Sequence, residues 1–232
     1  GLGAVPPEYL ADREGYIRLV TDELIPLVAR RGLARFCDVF CEQGAYSVEE
    51  SRRVLEAARA AGLGIKVHAE QLSAFGGARL AADLRAVSAD HLEYADSEVL
   101  EALRAAGTVA VLLPGAAFFL GQAFPDGRRF EQSGVEIAIA SDFNPGSSPT
   151  PNLLLVGTMA CVRMGMSPAS VLRAMTVGAA RAIGMQEELG RLAPGMAADL
   201  AVFRVTDHRS ILYRFGVNLC SMVVKGGEIV LP

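Results

Sequence analysis

Short apolar runs alternate with stretches of helical periodicity along the first two thirds of the chain. In the helical stretches apolar residues recur every three or four positions, whereas the runs between them are nearly continuously apolar. Runs of this kind at intervals of about 20 to 30 residues predict successive βα units and a parallel sheet. The predicted strands are residues 34–43, 64–71, 86–94, 108–115 and 135–146. The predicted helices are residues 12–31, 47–61, 76–86 and 97–107, with a helical turn near 128–134.

Terminal signals mark two of these helices. Ser47 opens the sequence S-V-E-E, and Glu50 stands at the third helical position, so the pair predicts a capping box. Gly62 follows this helix, and Gly107 ends the helix of residues 97–107. Glycine suits a helix C-terminus because it readily adopts the left-handed conformation found there.

Polar residues fall at the ends of the predicted strands. They are Glu42, His68, Glu70, Gln71, His91 and Asp142. Both an open doubly wound sheet and a (β/α)₈ barrel fit the alternation of strands and helices. In a barrel the carboxyl ends of all strands converge on one face, whereas an open sheet gathers residues from one or two neighbouring strands. Because the polar residues come from several strands, the pattern favours the barrel.

Beyond Asn152 the pattern changes. Two helices are predicted there, and the second begins with Ser167 as its cap and Pro168 at its first position. A β-run then leads to a hairpin turning at Gly226-Gly227. Such a small β-unit is not stable alone, so we expect it to pack with strands from elsewhere.

Composition narrows the class of protein. The 232 residues are 51% hydrophobic with a net charge of −4, which argues against nucleic-acid binding. No apolar run reaches the roughly 18 residues that cross a membrane, and the first residues lack the pattern of a signal peptide. None of the four cysteines forms a C-x-x-C pair, which indicates reduced, buried thiols in a cytoplasmic protein.

The polar strand ends indicate a metal site. A single histidine such as His68 is more often structural than catalytic, but His91 ends the next predicted strand in the same way. Asp142 repeats the pattern in a very apolar run, where a carboxylate is costly to bury unless it is paired or bound to a metal. Imidazole and carboxylate ligands together favour zinc or ferrous iron.

Other polar residues leave alternatives open. The loop FNPGSSPTP after Asp142 is either an ordinary barrel loop or one whose Asn144 side chain and peptide groups bind a substrate. Glu70 and Gln71 point to opposite faces of a regular strand, so only one shares the surroundings of His68. His208 is predicted to lie in a surface loop. The positions of Asp38 and Glu42 in the sequence do not assign either residue a functional role.

Four segments resemble imidazolonepropionase, a family of the amidohydrolase superfamily. They read KVHAEQLSAFGGARLAADL, SADHLEY, GTVAVLLPGAAFFL and IASDFNPGSSP. The resemblance implies a metal-dependent-hydrolase-type TIM barrel, of which strands four to eight are present, with a small β-sandwich contributed by both chain ends. It also implies hydrolysis of the cyclic amide of 4-imidazolone-5-propanoate to N-formimino-L-glutamate by water activated on one divalent metal, Zn²⁺ or Fe²⁺.

The resemblance also implies residue roles. His68 matches the metal ligand of the fifth barrel strand, and Asp142 matches the ligand of the eighth, which also takes a proton from the attacking water. His91 matches a histidine that transfers protons or polarises the substrate. The implied substrate-binding residues are Gln71, Asn144, Gly146 and Ser147.

The sequence departs from the family pattern in three places. The His-x-His pair that begins the family's metal site is not among these residues, a substrate-binding histidine is missing from LGAVPPEY, and Gln71 replaces a frequent glutamate. We therefore expect the chain to be the C-terminal portion of such an enzyme, with little activity and weak metal affinity as residues 1–232 alone.

The expected organisation is a partial barrel over residues 1–188 and the C-terminal part of the β-sandwich over residues 189–232. A homodimer is implied by resemblance only. The alternatives are another amidohydrolase, such as an aminohydrolase acting on a heterocycle, and a catalytically silent barrel fragment that serves as a binding module.

Overall fold

A computed structural model describes residues 3–231, so the termini of the two predicted domains, residues 1–2 and 232, lie outside the described residues. The chain divides into two compact units. One contains residues up to Ala110 together with residues 133–136, and the other contains residues 111–132 and 137 onward. The domain boundary expected after residue 188 stays a prediction.

The first unit begins with one continuous helical segment, as predicted for residues 12–31. It consists of α1 (Arg13–Arg18), a π-helical segment (Leu19–Leu24) and α2 (Ile25–Arg30). Asp12 caps its start by accepting a hydrogen bond from the Gly15 N–H at 2.8 Å. Ile17, Val20 and Ile25 form its buried stripe.

Three parallel strands form the centre of this unit. They are β1 (Phe36–Cys41), β2 (Gly64–Ala69) and β3 (Ser88–His91). Phe40 lies opposite His68 in the register of β1 with β2, and His68 lies opposite Asp90 in the register of β2 with β3. Along β1 and β2 fully buried positions alternate with half-buried ones, so one face of the sheet packs in the core and the other carries the polar residues.

The helices between these strands match the sequence signals. They are α3 (Val48–Ala60), α4 (Gly77–Asp83) and α5 (Ser97–Ala106). The capping box of α3 is present in both directions, with the Glu50 N–H donating to Ser47 Oγ at 3.1 Å and the Ser47 N–H donating to Glu50 Oε2 at 2.9 Å. Gly107 adopts the left-handed conformation at the end of α5, as predicted.

Strands β4 (Val109–Leu112) and β5 (Ile137–Ile139) complete a five-stranded sheet of order β1-β2-β3-β4-β5. Two predictions here are corrected. The run predicted as a strand over residues 108–115 ends at Leu112, and Pro114 starts α6 (Pro114–Phe119), which the sequence interpretation missed. The strand predicted over residues 135–146 is much shorter and ends before Asp142. Helix α7 (Gly127–Ser133) lies where a helical turn was predicted.

The C-terminal elements follow the prediction except for a short helix at Ser210–Tyr213, which the sequence interpretation missed. They are α8 (Leu153–Arg163), α9 (Pro168–Arg173), a π-helical segment (Ala174–Gly178), α10 (Ala179–Ala182), β6 (Leu200–Phe203), α11 (Ser210–Tyr213), β7 (Cys220–Lys225) and β8 (Glu228–Leu231). Strands β6, β7 and β8 form an antiparallel sheet, in which β7 and β8 are the predicted hairpin. Ser167 caps α9 through its side chain, with Pro168 at the first position.

The four cysteines are free thiols, of which Cys37 and Cys41 are buried and the other two half-buried. Burial raises the pKa of the Cys41 thiol to about 11. Among residues 3–231 no helix combines the length and the apolar character needed to cross a membrane.

Candidate active site

His68 lies near the carboxyl end of β2, and its ring is held by Asp38 of β1. The His68 Nδ1 atom is 3.0 Å from a carboxylate oxygen of Asp38. An ionised carboxylate only accepts hydrogen bonds, so Nδ1 carries the hydrogen. The lone pair of a neutral His68 ring is then on Nε2, which is the arrangement of a histidine prepared to bind a metal.

Asp38, His68 and Asp90 form a polar cluster on the half-buried face of the sheet. One ligand-type atom from each lies within 4.8 Å of the others. The Asp90 carboxylate accepts a hydrogen bond from Ser88 Oγ at 2.6 Å and lies 3.9 Å from Lys66 Nζ. Burial raises the pKa of Asp90. Because both carboxylates already have partners within the protein, they are better suited to hold His68 and Lys66 than to bind a metal.

His91 ends β3 beside His68, as the sequence predicted for neighbouring strand ends. The centroids of the two rings are 5.4 Å apart, and their planes are inclined by 56°. The His91 side chain is buried, with 3% of its surface exposed. Adjacent strands of the parallel sheet therefore bring one half-buried and one buried imidazole together.

The backbone is left-handed at several non-glycine residues at or just beyond the carboxyl ends of the strands. The φ angles are 50° at Glu70, 83° at His91, 68° at Leu92 and 51° at Asp142. Such conformations are disfavoured by about 1 kcal/mol or more for residues with a Cβ, and they cluster at functional sites.

Glu70 and Gln71, which the sequence could not distinguish, have different surroundings. The Glu70 carboxylate is buried and accepts hydrogen bonds from the N–H groups of Gly76 at 2.8 Å and Ala78 at 2.6 Å, at the start of α4. Burial raises the pKa of Glu70 despite these bonds. Glu70 thus fixes the start of α4, and Gln71 beside it is also buried.

Glu42, at the end of β1, has a structural task of the same kind. Its buried carboxylate accepts hydrogen bonds from the Leu72 N–H at 2.9 Å and from Ser73 Oγ at 2.5 Å. It therefore ties the end of β1 to the loop that follows β2.

Asp142 lies in the second unit, three residues beyond the end of β5. Ser147 Oγ donates a hydrogen bond to Asp142 Oδ2 at 3.2 Å, and Asn144 Nδ2 donates to the Asp142 carbonyl at 2.7 Å. The N–H groups of Gly146 and Ser147 both donate to Asn144 Oδ1 at 2.8 Å. The predicted substrate loop is therefore a closed turn that holds the backbone and side chain of Asp142.

Glu93 is buried beside His91, whereas His208 is exposed. Glu93, which the sequence interpretation missed, has a buried carboxylate 3.7 Å from His91 Nδ1. Its place two residues after His91 was the only available signal, and it does not reveal burial. The His208 side chain is 61% exposed, as predicted for a surface residue.

Comparison with known proteins decides the family. The model of the amidohydrolase family matches residues 40–230, which is most of the chain.

The chain belongs to the amidohydrolase family.

Among curated amidohydrolase relatives, the imidazolonepropionase of Geobacillus thermodenitrificans is 51% identical over 231 residues, covering 100% of this chain and 54% of that protein. The imidazolonepropionase of Symbiobacterium thermophilum is 47% identical over 233 residues, covering 100% of this chain and 55% of that protein. The chain thus spans about half the length of the curated relatives it matches.

Solved structures confirm the fold. A. niger ochratoxinase aligns with a TM-score of 0.72 at 22% identity, over 93% of this chain and 54% of its own. A zinc-bound adenosine deaminase from Xanthomonas campestris aligns with a TM-score of 0.70 at 20% identity, over 81% of this chain and 49% of its own. The predicted α/β fold, amidohydrolase barrel strands with a small antiparallel sheet, is therefore correct.

Proposed function

We propose that the protein containing this chain hydrolyses the cyclic amide of 4-imidazolone-5-propanoate. One water molecule is added, the bond between the ring carbonyl carbon and its amide nitrogen breaks, and N-formimino-L-glutamate forms. The observation that carries this proposal is the 51% identity with an imidazolonepropionase, which extends over the whole chain. The site motifs HAEQ, DHLEY and SDFNPGS support it further.

The proposed metal ligands of this chain are His68 and Asp142. Asp38 holds His68 Nδ1, which leaves Nε2 for a cation, and Ser147 restrains the Asp142 carboxylate. This nitrogen and oxygen donor set fits one divalent ion, either Zn²⁺ or Fe²⁺. When bound, the ion acts as a Lewis acid and brings the pKa of a coordinated water to about 7.

The remaining roles fall to protein groups. Asp142 accepts the proton that the attacking water loses, and His91 delivers a proton toward the departing nitrogen or polarises the carbonyl. Gln71, Asn144, Gly146 and Ser147 are proposed to bind the substrate. Because Asn144 Oδ1 accepts from the N–H groups of Gly146 and Ser147, a substrate carboxylate must displace it to reach them.

The organisation of the protein is also a proposal. Residues 1–188 would form the barrel portion and residues 189–232 the C-terminal part of the β-sandwich. From the family resemblance we propose a cytoplasmic homodimer that acts on a small molecule, and the net charge of −4 argues against nucleic-acid binding. Sedimentation of the purified protein would reveal a monomer if the homodimer proposal is wrong.

Turnover in ¹⁸O-labelled water tests the reaction. The expected product is N-formimino-L-glutamate with one ¹⁸O in the new carboxylate, formed at a rate that falls at least about 100-fold in H91N and D142N. The matched control H208A should retain full activity because His208 is exposed. Ammonia release from aminated heterocycles without opening of the imidazolone ring would instead support an aminohydrolase.

A further inference from the structure

Glu93 differs from the other buried glutamates near the strand ends. Glu42 and Glu70 each accept at least two hydrogen bonds from nearby donors. The Glu93 side chain is equally buried, at 2% exposed, yet among residues 3–231 its Oε2 atom has no hydrogen-bond partner. A buried carboxylate without donors costs several kcal/mol unless another group compensates its charge.

His91 also has a buried polar atom that lacks a hydrogen-bond partner among the described residues. Its Nδ1 atom lies 3.7 Å from Glu93 Oε1 and, within the described part of the chain, is likewise without a hydrogen-bond partner. An imidazole N–H donates and a carboxylate accepts, so each group supplies what the other lacks. A closure of about 0.5 to 1 Å would bring the two atoms into normal hydrogen-bond distance.

The backbone holds this pair in place. Leu92 N–H donates to the Ala69 carbonyl at 3.1 Å, and Tyr94 N–H donates to the Glu70 carbonyl at 3.0 Å. Glu93 therefore lies between two residues anchored to the end of β2. The left-handed φ angles of His91 and Leu92 create the turn that brings the side chain of Glu93 back to the ring.

We propose that Glu93 is a positioning residue for His91. The Glu93 carboxylate accepts the Nδ1 hydrogen of His91, which selects one tautomer and leaves Nε2 to exchange a proton with the substrate. The same logic applies wherever a carboxylate orients a catalytic histidine. This inference rests on the proposed function only in assigning the proton transfer to His91.

Substitution of Glu93 tests the inference kinetically. E93Q keeps the volume but can turn its amide N–H toward Nδ1, so we expect kcat to fall about 100-fold or more while KM changes less than about twofold. E93D keeps a carboxylate and should be more active than E93Q. If E93D is no more active than E93Q, or if the loss in E93Q lies in KM, the inference is wrong.

Nitrogen NMR of histidine-labelled protein gives a second readout that needs no turnover. The His91 signals, identified by their loss in H91N, should change in tautomer between wild type and E93Q. The control E42Q removes a buried carboxylate that is saturated by Leu72 and Ser73, so it should leave these signals unchanged. Unchanged His91 signals in a folded E93Q protein would overturn the inference, even if the substrate proves to be different.

Discussion

At the residue scale, side-chain contacts between neighbouring strands hold the candidate site together, such as the contact of Asp38 in β1 with His68 in β2. The sequence predicted that His68 and His91 lie close together, because parallel strands place their carboxyl ends side by side, and the two rings are indeed neighbours. It could not assign Asp38 to His68, since that contact depends on strand register and on a common face. Burial of Glu93 was equally hidden, because it follows from a left-handed turn that non-glycine residues rarely adopt.

Glu70 and Gln71 provide a prediction that separates structure from substrate binding. E70A removes the acceptor for two N–H groups at the start of α4, so the free energy of unfolding should fall by about 2 kcal/mol or more. Q71A should raise KM or lower kcat with an almost unchanged melting temperature. Thermal unfolding and steady-state kinetics of both variants check this. Equal stability losses would mean that Gln71 is structural as well.

At the element scale, the predicted helices whose ends carry capping residues in the sequence agree with the structure. Helices α3, α5 and α9 begin or end at residues whose side chains or backbone satisfy the helix terminus. Helix α6 was missed because residues 108–120 are almost continuously apolar, and periodicity alone does not distinguish a buried strand from a buried helix. Pro114 was the available signal, since proline favours the first position of a helix.

The capping box of α3 yields a prediction about pH. Hydrogen bonds from Arg13 and then from Ser47 lower the pKa of Glu50 below its usual 4.5. A lowered folded-state pKa contributes stability above the unfolded-state value, and that stability is lost as the pH falls through the folded-state pKa. E50Q should therefore cost about 1 to 2 kcal/mol near pH 7, and this cost should shrink as the pH falls below 4.5 and through the lowered folded-state pKa of Glu50.

Urea unfolding of wild type and E50Q across this pH range measures the difference. The neighbouring E49Q is the matched control, because Glu49 is exposed in the same first turn and should change stability by less than about 0.5 kcal/mol. A cost of E50Q that stays constant from neutral to acid pH would show that ionisation of Glu50 is irrelevant.

Gly178 provides a prediction about the packing of a helical segment on a strand. A Cβ at this position would lie 1.9 Å from the carbonyl oxygen of Ile137 in β5. Alanine favours a helix by about 1 kcal/mol over glycine, but a clash with backbone cannot be relieved by a rotamer change. We expect G178A to destabilise the protein by at least about 2 kcal/mol in thermal unfolding.

G157A is the control for this substitution. Its Cβ would meet Met175 Sδ at 2.8 Å and Leu212 Cδ2 at 2.9 Å, both at or near the ends of flexible side chains. We expect G157A to lower the free energy of unfolding less than G178A does. This difference would show that the loss in G178A comes from the clash with backbone and not from crowding around a helix in general. If G178A is as stable as wild type, the segment does not approach β5 as closely as described.

At the scale of the whole molecule, the succession of strands and helices was sufficient to predict the parallel sheet, whereas the metal site expected from the polar strand ends stays a prediction. One proposed ligand, His68, lies near the end of β2, and the other, Asp142, lies in the loop after β5. The sequence indicates the metal that both would bind only through the types of these residues. The chain spans about half the length of the curated relatives it matches. Metal binding is therefore the property that tests the molecule as a whole.

Metal-linked stability tests the proposed ligands. A ligand that binds only the folded state at 100 times its Kd raises the unfolding free energy by about 2.7 kcal/mol. Saturating Zn²⁺ or Fe²⁺ should thus raise the melting temperature of the protein containing this chain, and a chelator should reverse the shift. We expect no shift in H68A and an affinity about 10- to 100-fold weaker in D38N, because Asp38 orients His68.

H208A is the control for H68A, because it removes an exposed histidine from the same chain. Its metal-dependent shift should equal that of wild type. A full shift in H68A would exclude His68 as a ligand, and equal affinity in D38N and wild type would mean that the Asp38 contact does not prepare the imidazole. Loss of the shift in H68A together with a weakened affinity in D38N would instead connect the contact between β1 and β2 to the chemistry of the site.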